Sequence, residues 1–217
     1  MRANTIVATG RVPAGTLGAK DRDILRDAES IIGVDEVGRG ALAGPVVVCA
    51  VSLTAIPNDP GIRDSKQLTG NRRDEAATRL RANGARWAMC EIWVELIDKL
   101  NILEATRLAM RAAAGALVTP AAVVVTDYVD PGDLGCRVLS PKKADREYFC
   151  VAAASILAKV HRDRIMADLG AEQPEWCWER NKGYGTTAHR RALQTHGPGT
   201  LHRRSFQWSP VLPSGLG

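Results

Sequence analysis

Two adjacent carboxylates, Asp35 and Glu36, end an apolar run and are followed by the Gly-Arg-Gly turn 38–40 and a second, valine-rich run. Acids at the end of a buried strand are costly without a cation, so the pair predicts either basic partners or a bound metal. The glycines admit the backbone of a ligand, and the guanidinium between them suits phosphate. The alternative is a solvated hairpin turn, which is the usual setting of an acidic pair.

Two further aspartates stand where they could join this pair. Asp127 ends the apolar stretch 121–126, and Asp145 begins a predicted helix. If these ends meet the first pair, four carboxylates share one pocket, and their mutual repulsion requires cations. Oxygen ligands suit Mg²⁺ or Mn²⁺, and two such ions can promote attack on a phosphodiester. Taken alone, Asp127 also fits a turn and Asp145 a helix N-cap.

The basic and aromatic residues favour a polyanionic partner. The net charge is +5, and the positive residues concentrate late in the chain. Tyr184 lies between two glycines, where its ring could stack on a base or sugar or could instead pack a loop. Further positive charge, which also fits a solvated surface, comes from Lys66, Lys159, Arg162 and the run His202-Arg203-Arg204. The four histidines show no zinc-site spacing.

Hydrophobic periodicity predicts the elements that must position these residues. Strands are predicted at 30–35, 45–54, 86–94, 121–127 and 136–140. Helices are predicted at 21–29, 72–83, 97–117, 145–169 and 186–196. This order predicts an α/β domain with a mixed central sheet flanked by helices and a C-terminal helical segment. We place that single domain at residues 26–217 and treat residues 1–25 as a lead of uncertain order.

Composition narrows the class of protein. A chain of 217 residues suits one substantial domain with a full core. The five cysteines are scattered without a CxxC pair, which favours a reducing compartment. No apolar run approaches the roughly 20 residues of a membrane span, and the N-terminus lacks the apolar core of a secretory signal. We therefore expect a cytoplasmic protein that has no membrane partner and acts as a monomer.

Together these motifs resemble bacterial ribonuclease HII, the type 2 ribonuclease H family. The runs that carry the resemblance are GVDEVGRGALAGPVVVCAV, DSKQLT, LNILEATRLAM, the strand ending at Asp127, KKAD, AAASILAKVHRDRIM, NKGYGTTAH and HRRSF. The resemblance implies an RNase H-like fold and cleavage of the RNA strand of RNA–DNA hybrids. It also implies incision on the 5′ side of a single ribonucleotide embedded in duplex DNA, leaving 3′-hydroxyl and 5′-phosphate ends.

The resemblance also implies a role for each candidate residue. The metal-binding catalytic carboxylates would be Asp35, Glu36, Asp127 and Asp145, with two Mg²⁺ or Mn²⁺ ions as cofactors. The ribose 2′-hydroxyl would be sensed, largely through the backbone, by Gly38, Arg39 and Gly40. Tyr184 would read the ribonucleotide junction, and Lys66 would hold a phosphate.

Some positions depart from the family pattern, and they leave metal preference and substrate range open. Tyr128 follows Asp127 where the family commonly has Gly, and Asp130 is a rival ligand close by. Asn181 stands where a His is common. Two other functions also remain: another nuclease or recombinase of the same fold, and a non-catalytic module that binds hybrids. The presence of all four acids disfavours the second, and the two glycine-flanked motifs disfavour the first.

Overall fold

A five-stranded mixed sheet forms the centre of the fold in the computed structural model, which describes residues 17–59, 61–62, 68–82 and 84–207. The strands are β1 (Ser30–Val37), β2 (Val46–Leu53), β3 (Arg86–Ile92), β4 (Ala122–Thr126) and β5 (Arg137–Leu139). They lie in the order β3-β2-β1-β4-β5. β2 pairs antiparallel with β1 and β3, whereas β4 pairs parallel with β1 and β5. The predicted α/β class and mixed sheet are thus confirmed.

Helices cover both faces of the sheet. They are α1 (Ala19–Ile24), α2 (Gly70–Ala82), α3 (Val94–Leu100), α4 (Ile102–Gly115), α5 (Ala144–Glu147), α6 (Phe149–Glu172), α7 (Trp178–Asn181) and α8 (Thr187–His196), with a 3₁₀ turn at Pro174–Trp176. The helices α6 and α2 pack on one face and α4 on the other. The last two helices form the predicted C-terminal helical segment. None of the helices described is both long and apolar enough to span a bilayer.

Strand β2 is buried along its whole length because its side chains alternate between two cores. Residues 47, 49 and 51 face α6, and residues 46, 48 and 50 face α4. The neighbouring strand approaches α6 so closely that a Cβ on Gly33 would lie 2.1 Å from the carbonyl carbon of Cys150. This contact explains the small residues 152–155 of α6 and brings Ser155 towards the acidic end of β1.

Two of the predicted helices are broken. The stretch 97–117 contains the end of α3 and all of α4, which meet at Asn101. Asn101 has a φ of 72°, and its side-chain oxygen accepts hydrogen bonds from two N–H groups in the first turn of α4. The helix predicted from Asp145 divides into α5 and α6, because Tyr148 between them has an extended backbone. Apolar spacing continues through both breaks, so periodicity alone does not show them.

The first helix lies before the predicted start of the domain and is tied to α6. Asp21 is fully buried and accepts hydrogen bonds from the N–H groups of Phe149 (2.9 Å) and Cys150 (3.0 Å). These donors belong to the first turn of α6 and have no partner within that helix. Residues 1–16 of the predicted lead lie outside the described part of the chain, and the domain start at 26 stays a prediction.

Candidate active site

Parallel pairing of β1 with β4 brings their acidic ends to one edge of the sheet. Residues 30–34 pair with residues 122–126, so Asp35 and Glu36 extend beyond the paired region and Asp127 follows it directly. The strand does not end at residue 35, as predicted, but continues to Val37 against β2. Adjacent side chains on a strand point to opposite faces, yet the charge of Asp127 acts on both carboxyls. The three acids therefore form one electrostatically coupled group.

Desolvation dominates the electrostatics of this group. Burial raises the pKa of Asp35 well above its usual range, and the charge of Glu36 raises it further, against a hydrogen bond from Ser155. Burial also raises the pKa of Glu36, while Arg39, with Nη1 3.5 Å from Glu36 Oε1, opposes that shift. The other oxygen, Oε2, is buried without a hydrogen-bond partner among the described residues. Such a group is stabilised by a cation.

The start of α5 places the fourth acid beside Asp127. The N-cap residue of α5, Lys143, has a φ of 61° and gives no side-chain cap. Instead, Oδ1 of Asp127 accepts a hydrogen bond of 3.0 Å from the N–H of Ala144. Asp145 is the next residue and is buried. The rival Asp130 is exposed, and its side chain accepts an N–H of its own turn, so the geometry favours Asp127 as the third carboxylate.

The chemistry of the four acids fits a hard divalent cation. Their donors are all oxygens, and the unpartnered Oε2 of Glu36 offers one without a competing bond. In the part of the chain that the structure describes, no three His, Cys, Asp or Glu side chains come close enough together to hold a metal ion by themselves. Mg²⁺ commonly takes one or two carboxylates and completes its shell with water and substrate phosphates. The acids thus fit an open set of ligands.

The glycine turn has one side against the protein and one side open. Gly38 has a φ of 87°, and a Cβ there would lie 2.0 Å from Nε of Arg162, so the fold requires glycine. A Cβ on Gly40 would meet nothing within 4 Å. The N–H groups of Arg39 and Gly40 make no hydrogen bond to any described residue. These two N–H groups are therefore available to donate to a ligand.

Two buried guanidinium groups, those of Arg162 and Arg203, hold this turn from beneath. Their acceptors are the main-chain carbonyls of Ala43, Pro45 and Lys182 for Arg162, and of Arg39 and Gly44 for Arg203. A buried guanidinium needs acceptors for its N–H groups, and these loops supply them. The expectation of a basic or solvated surface is therefore wrong for both arginines. Lys159 is the partly exposed member, and it pairs with Asp163 at 2.7 Å.

Tyr184 lies against the same turn. Its backbone forms an isolated bridge with Ala41. The ring is partly buried, with the guanidinium carbon of Arg162 5.4 Å and Nζ of Lys159 6.0 Å from its centroid. The ring is therefore partly covered by the protein, and it lies beside the open glycine turn.

Asn181, which departs from the family pattern, fixes the loop that carries Tyr184. Its side-chain oxygen accepts a hydrogen bond from the N–H of Gly183 (2.8 Å), and its amide donates to the carbonyl of Trp176 (2.6 Å). Its own carbonyl accepts from the N–H of Tyr184 at 2.9 Å. The substitution is thus built into the loop as a structural support.

Two buried histidines lie behind this loop. His189 Nδ1 is 3.0 Å from the carbonyl of Tyr184 and so carries the proton, leaving Nε2 as an acceptor. Trp178 Nε1 (3.2 Å) and His202 Nε2 (3.0 Å) donate to that atom. Nδ1 of His202 in turn accepts from the N–H of Gly199 at 2.9 Å. These bonds require both imidazoles to be neutral.

We expect this histidine pair to make the fold sensitive to acid. Burial and the adjacent His189 lower the pKa of His202 from 6.5 to about 4. Between those values the unfolded chain binds more protons, so stability is lost as the pH falls from 6.5 towards 4. The loss is on the order of 3 kcal/mol. Urea unfolding at several pH values in this window should show a flatter pH dependence for His202→Gln than for the wild type.

The exposed His196 provides the matched control for this measurement. His196→Gln should reproduce the wild-type pH dependence because its side chain is not part of the buried pair. Parallel curves for the wild type, His202→Gln and His196→Gln would contradict the expected role of His202. The comparison uses the slope with pH, so a lower absolute stability of His202→Gln does not affect it.

Comparison with known proteins shows which family this chain belongs to. The family description "Ribonuclease HII" matches residues 32–209. The ribonuclease HII of Paracoccus denitrificans (strain Pd 1222) is 48% identical over 180 residues, which cover 82% of this chain and 85% of that protein. The ribonuclease HII of Rickettsia prowazekii (strain Madrid E) is 43% identical over 178 residues, covering 82% and 91%. The chain belongs to the ribonuclease HII family.

Solved structures agree with this family membership. The RNase HII in the PCNA:RNase HII complex from Archaeoglobus fulgidus matches with a TM-score of 0.67 and 26% identity, covering 80% of this chain and 92% of that one. The ribonuclease H2 from Pyrococcus horikoshii OT3 matches with a TM-score of 0.66 and 25% identity, covering 82% and 94%. The predicted resemblance and the RNase H-like fold are confirmed, and this family member is a nuclease.

Some residues that support the candidate site were not recognised from the sequence. Ser155 donates a hydrogen bond to the carboxylate of Asp35, a contact that the sequence motifs did not predict. Ser155 and Arg162 are seven residues apart and so share one face of α6. The single serine within the apolar stretch 149–158 is a signal that could have found Ser155. Lys66 lies outside the described residues, and its contact with phosphate stays a prediction.

Proposed function

We propose that this enzyme, beyond cleaving the RNA strand of RNA–DNA hybrids as its family does, incises 5′ of single ribonucleotides in duplex DNA. The products would carry 3′-hydroxyl and 5′-phosphate ends. The observation that supports this proposal is the open glycine turn 38–40, which follows Asp35 and Glu36 in the chain and whose two N–H groups have no acceptor among the described residues. A ribose 2′-hydroxyl is the group that distinguishes RNA from DNA, and it can accept such bonds. We expect the chain to act as a cytoplasmic monomer.

We further propose that two divalent ions, Mg²⁺ or Mn²⁺, are held by Asp35, Glu36, Asp127 and Asp145. When bound, such a pair activates the attacking water and stabilises the leaving oxygen of an in-line displacement. The unpartnered Glu36 Oε2 supports this proposal, as does the raised pKa that burial gives to Asp35 and Glu36. Ser155 and the start of α5 keep the acids oriented without neutralising them.

Other residues of the chain would position the substrate. The absent side chain of Gly40 leaves room for a nucleic-acid backbone, and the N–H groups of Arg39 and Gly40 would donate to the 2′-hydroxyl. Gly38 keeps the turn against Arg162. The ring of Tyr184 would pack on the sugar or base at the ribonucleotide junction. Lys66 would pair with a phosphate.

Gly40→Ala should lower cleavage at a single ribonucleotide by about tenfold or more while leaving the fold intact. Its Cβ would meet no protein atom, so a loss of activity has to come from contact with substrate; tenfold corresponds to about 1.4 kcal/mol. Gly115→Ala is the matched control, because its Cβ also meets open space, at the end of α4. Steady-state cleavage and thermal unfolding measure both effects. Wild-type cleavage by Gly40→Ala would argue against the turn as the 2′-hydroxyl sensor.

Three labelled duplexes distinguish the proposed function from its alternatives. Each is incubated with the full chain over a titration of Mg²⁺ or Mn²⁺: an RNA–DNA hybrid, a DNA duplex with one ribonucleotide, and an all-DNA duplex. The proposal predicts metal-dependent cleavage of the first two only, with a 3′ end that a DNA polymerase can extend. Cleavage of the all-DNA duplex would indicate another nuclease of this fold. Binding without cleavage would indicate a hybrid-binding module.

A further inference from the structure

Tyr128 has an unfavourable backbone conformation for an aromatic residue. It directly follows Asp127, and its side chain is 62% exposed. Its φ of 66° lies in the left-handed region that favours glycine, with its N–H donated to the carbonyl of Pro141 at 3.0 Å. The ring belongs to neither apolar core of the sheet. Packing therefore does not explain the presence of a tyrosine at this position.

The surroundings of the ring are basic. Nζ of Lys142 lies 5.2 Å from the ring centroid. Lys142 and the next residue, Lys143, are exposed, and within the described residues neither pairs with a carboxylate. Together these three side chains, which we call the Tyr128 platform, present an exposed aromatic ring with the Lys142 ammonium over it and a second exposed lysine next in the sequence. This is the combination that single-stranded and flanking nucleotides bind, by stacking and by phosphate contact.

The sheet order places this platform on one side of the acids. Asp127 and Tyr128 follow β4, which lies between β1 and the edge strand β5. The glycine turn leads instead from β1 to β2, on the other side of β1, and Tyr184 lies against that turn. A nucleic acid crossing the acidic end of the sheet would therefore meet Tyr184 on one side and Tyr128 on the other.

We propose that the Tyr128 platform is a second nucleotide-binding contact, in which the ring of Tyr128 stacks on a nucleotide flanking the cleavage point and Lys142 pairs with its phosphate. This inference rests on the proposed function, since it takes the substrate to be a nucleic-acid duplex. In this proposal, the bound nucleic acid extends beyond the acids towards the edge strand β5. It also explains a tyrosine at a backbone position that glycine would occupy with less strain.

Binding to a fluorescent duplex with one ribonucleotide tests the stacking contact. Asp35→Asn serves as the cleavage-deficient parent, and Tyr128→Gly, Tyr128→Leu and Tyr128→Phe are added to it. We expect Gly and Leu to weaken binding by about tenfold and Phe to stay within about twofold, because stacking needs the ring. Tyr128→Gly should be at least as stable as the parent in thermal unfolding, so weaker binding cannot be attributed to misfolding. Unchanged binding in the Gly and Leu variants would overturn the proposal.

A control and a salt titration separate stacking from general attraction. Trp87 is also an exposed aromatic with a cation over its ring, Arg81 at 5.6 Å, but it lies on the opposite edge strand of the sheet. Trp87→Leu should leave affinity unchanged. Lys142→Gln should reduce the slope of log Kd against log salt by about 0.9, whereas Tyr128→Gly should leave it unchanged. An unaltered slope for Lys142→Gln would overturn the phosphate contact.

Truncated duplexes test the placement. Tyr128→Gly should no longer weaken binding when the duplex is shortened on the side of the ribonucleotide that contacts the platform. It should still weaken binding when the duplex is shortened on the other side. A penalty that persists with both truncations would overturn the flanking position. The active wild type is assayed in parallel: if it cleaves the ribonucleotide duplex while Tyr128→Gly in the parent binds normally, the platform fails and the proposed function stands. If it does not cleave, the proposed function itself fails.

Discussion

Asp35→Asn should abolish metal-dependent cleavage and at the same time stabilise the metal-free protein. Asp35 is desolvated and repelled by Glu36 and Asp127, so removing its charge relieves an unfavourable interaction. We expect the Tm in EDTA to rise by roughly 2–4 °C, which is about 1 kcal/mol for a domain of this size. Cleavage should fall by about a thousandfold or more, because residues that act as a unit fail together. Asp145→Asn should cause a comparable loss.

Single-turnover cleavage and thermal unfolding, each with and without divalent metal, measure these effects. Metal should raise the Tm of the wild type and leave that of Asp35→Asn nearly unchanged. Asp168→Asn, on an exposed position of α6, is the control and should match the wild type in both assays. Near-normal cleavage by folded, metal-saturated Asp35→Asn would exclude Asp35 from the metal site. A lower Tm in EDTA would contradict the repulsion.

Replacing Asp127 and replacing Asp130 should have very different effects on cleavage. Asp127→Ala should eliminate cleavage, because its charge acts on both acids of β1 and its carboxylate holds the start of α5. Asp130→Ala should have little effect, since that side chain is exposed and bonded within its own turn. The reverse pattern would move the third carboxylate to Asp130.

The loss in Asp127→Ala could come from charge or from the missing cap on α5, and Asp127→Asn separates the two. An asparagine oxygen can still accept the N–H of Ala144, so the start of α5 and the position of Asp145 are preserved. We expect Asp127→Asn to unfold close to the wild-type temperature and to cleave at least about a hundredfold more slowly. Recovery of activity in Asp127→Asn would show that the cap alone matters.

The support of the glycine turn is unusual in its electrostatics. Arg162 and Arg203 are buried close to each other, and their N–H groups bind carbonyls. Burial and the neighbouring charge of Arg162 lower the pKa of Arg203 to about 9. The two cations therefore add positive charge beneath a turn that we propose to face a polyanion. They also hold the turn in place before substrate binds, which reduces the ordering that binding would require.

Local patterns in the sequence predicted the elements and indicated the acids of the candidate site. Alternating apolar and polar residues, together with short apolar runs, predicted each strand close to its observed bounds. These patterns are visible within a few residues because successive side chains of a strand point to opposite faces of the sheet. The acids at the ends of β1 and β4 were recognisable for the same reason. Parallel pairing then makes those ends coincide. The glycines of turn 38–40 were equally visible, as residue types that locally permit close approach.

Only the tertiary structure decided which polar residues are buried and what they contact. Arg162 and Arg203 resemble surface arginines in sequence, and they are buried because loops distant in the chain bring carbonyls to them. The neutral histidine pair joins α8 to the segment that follows it, and no local spacing predicts that contact. The partial burial of Tyr184 could not be predicted, since the residues that contact its ring come from α6. Hydrogen bonds and charges of buried groups depend on partners across the fold, whereas local periodicity records only which face of an element is apolar.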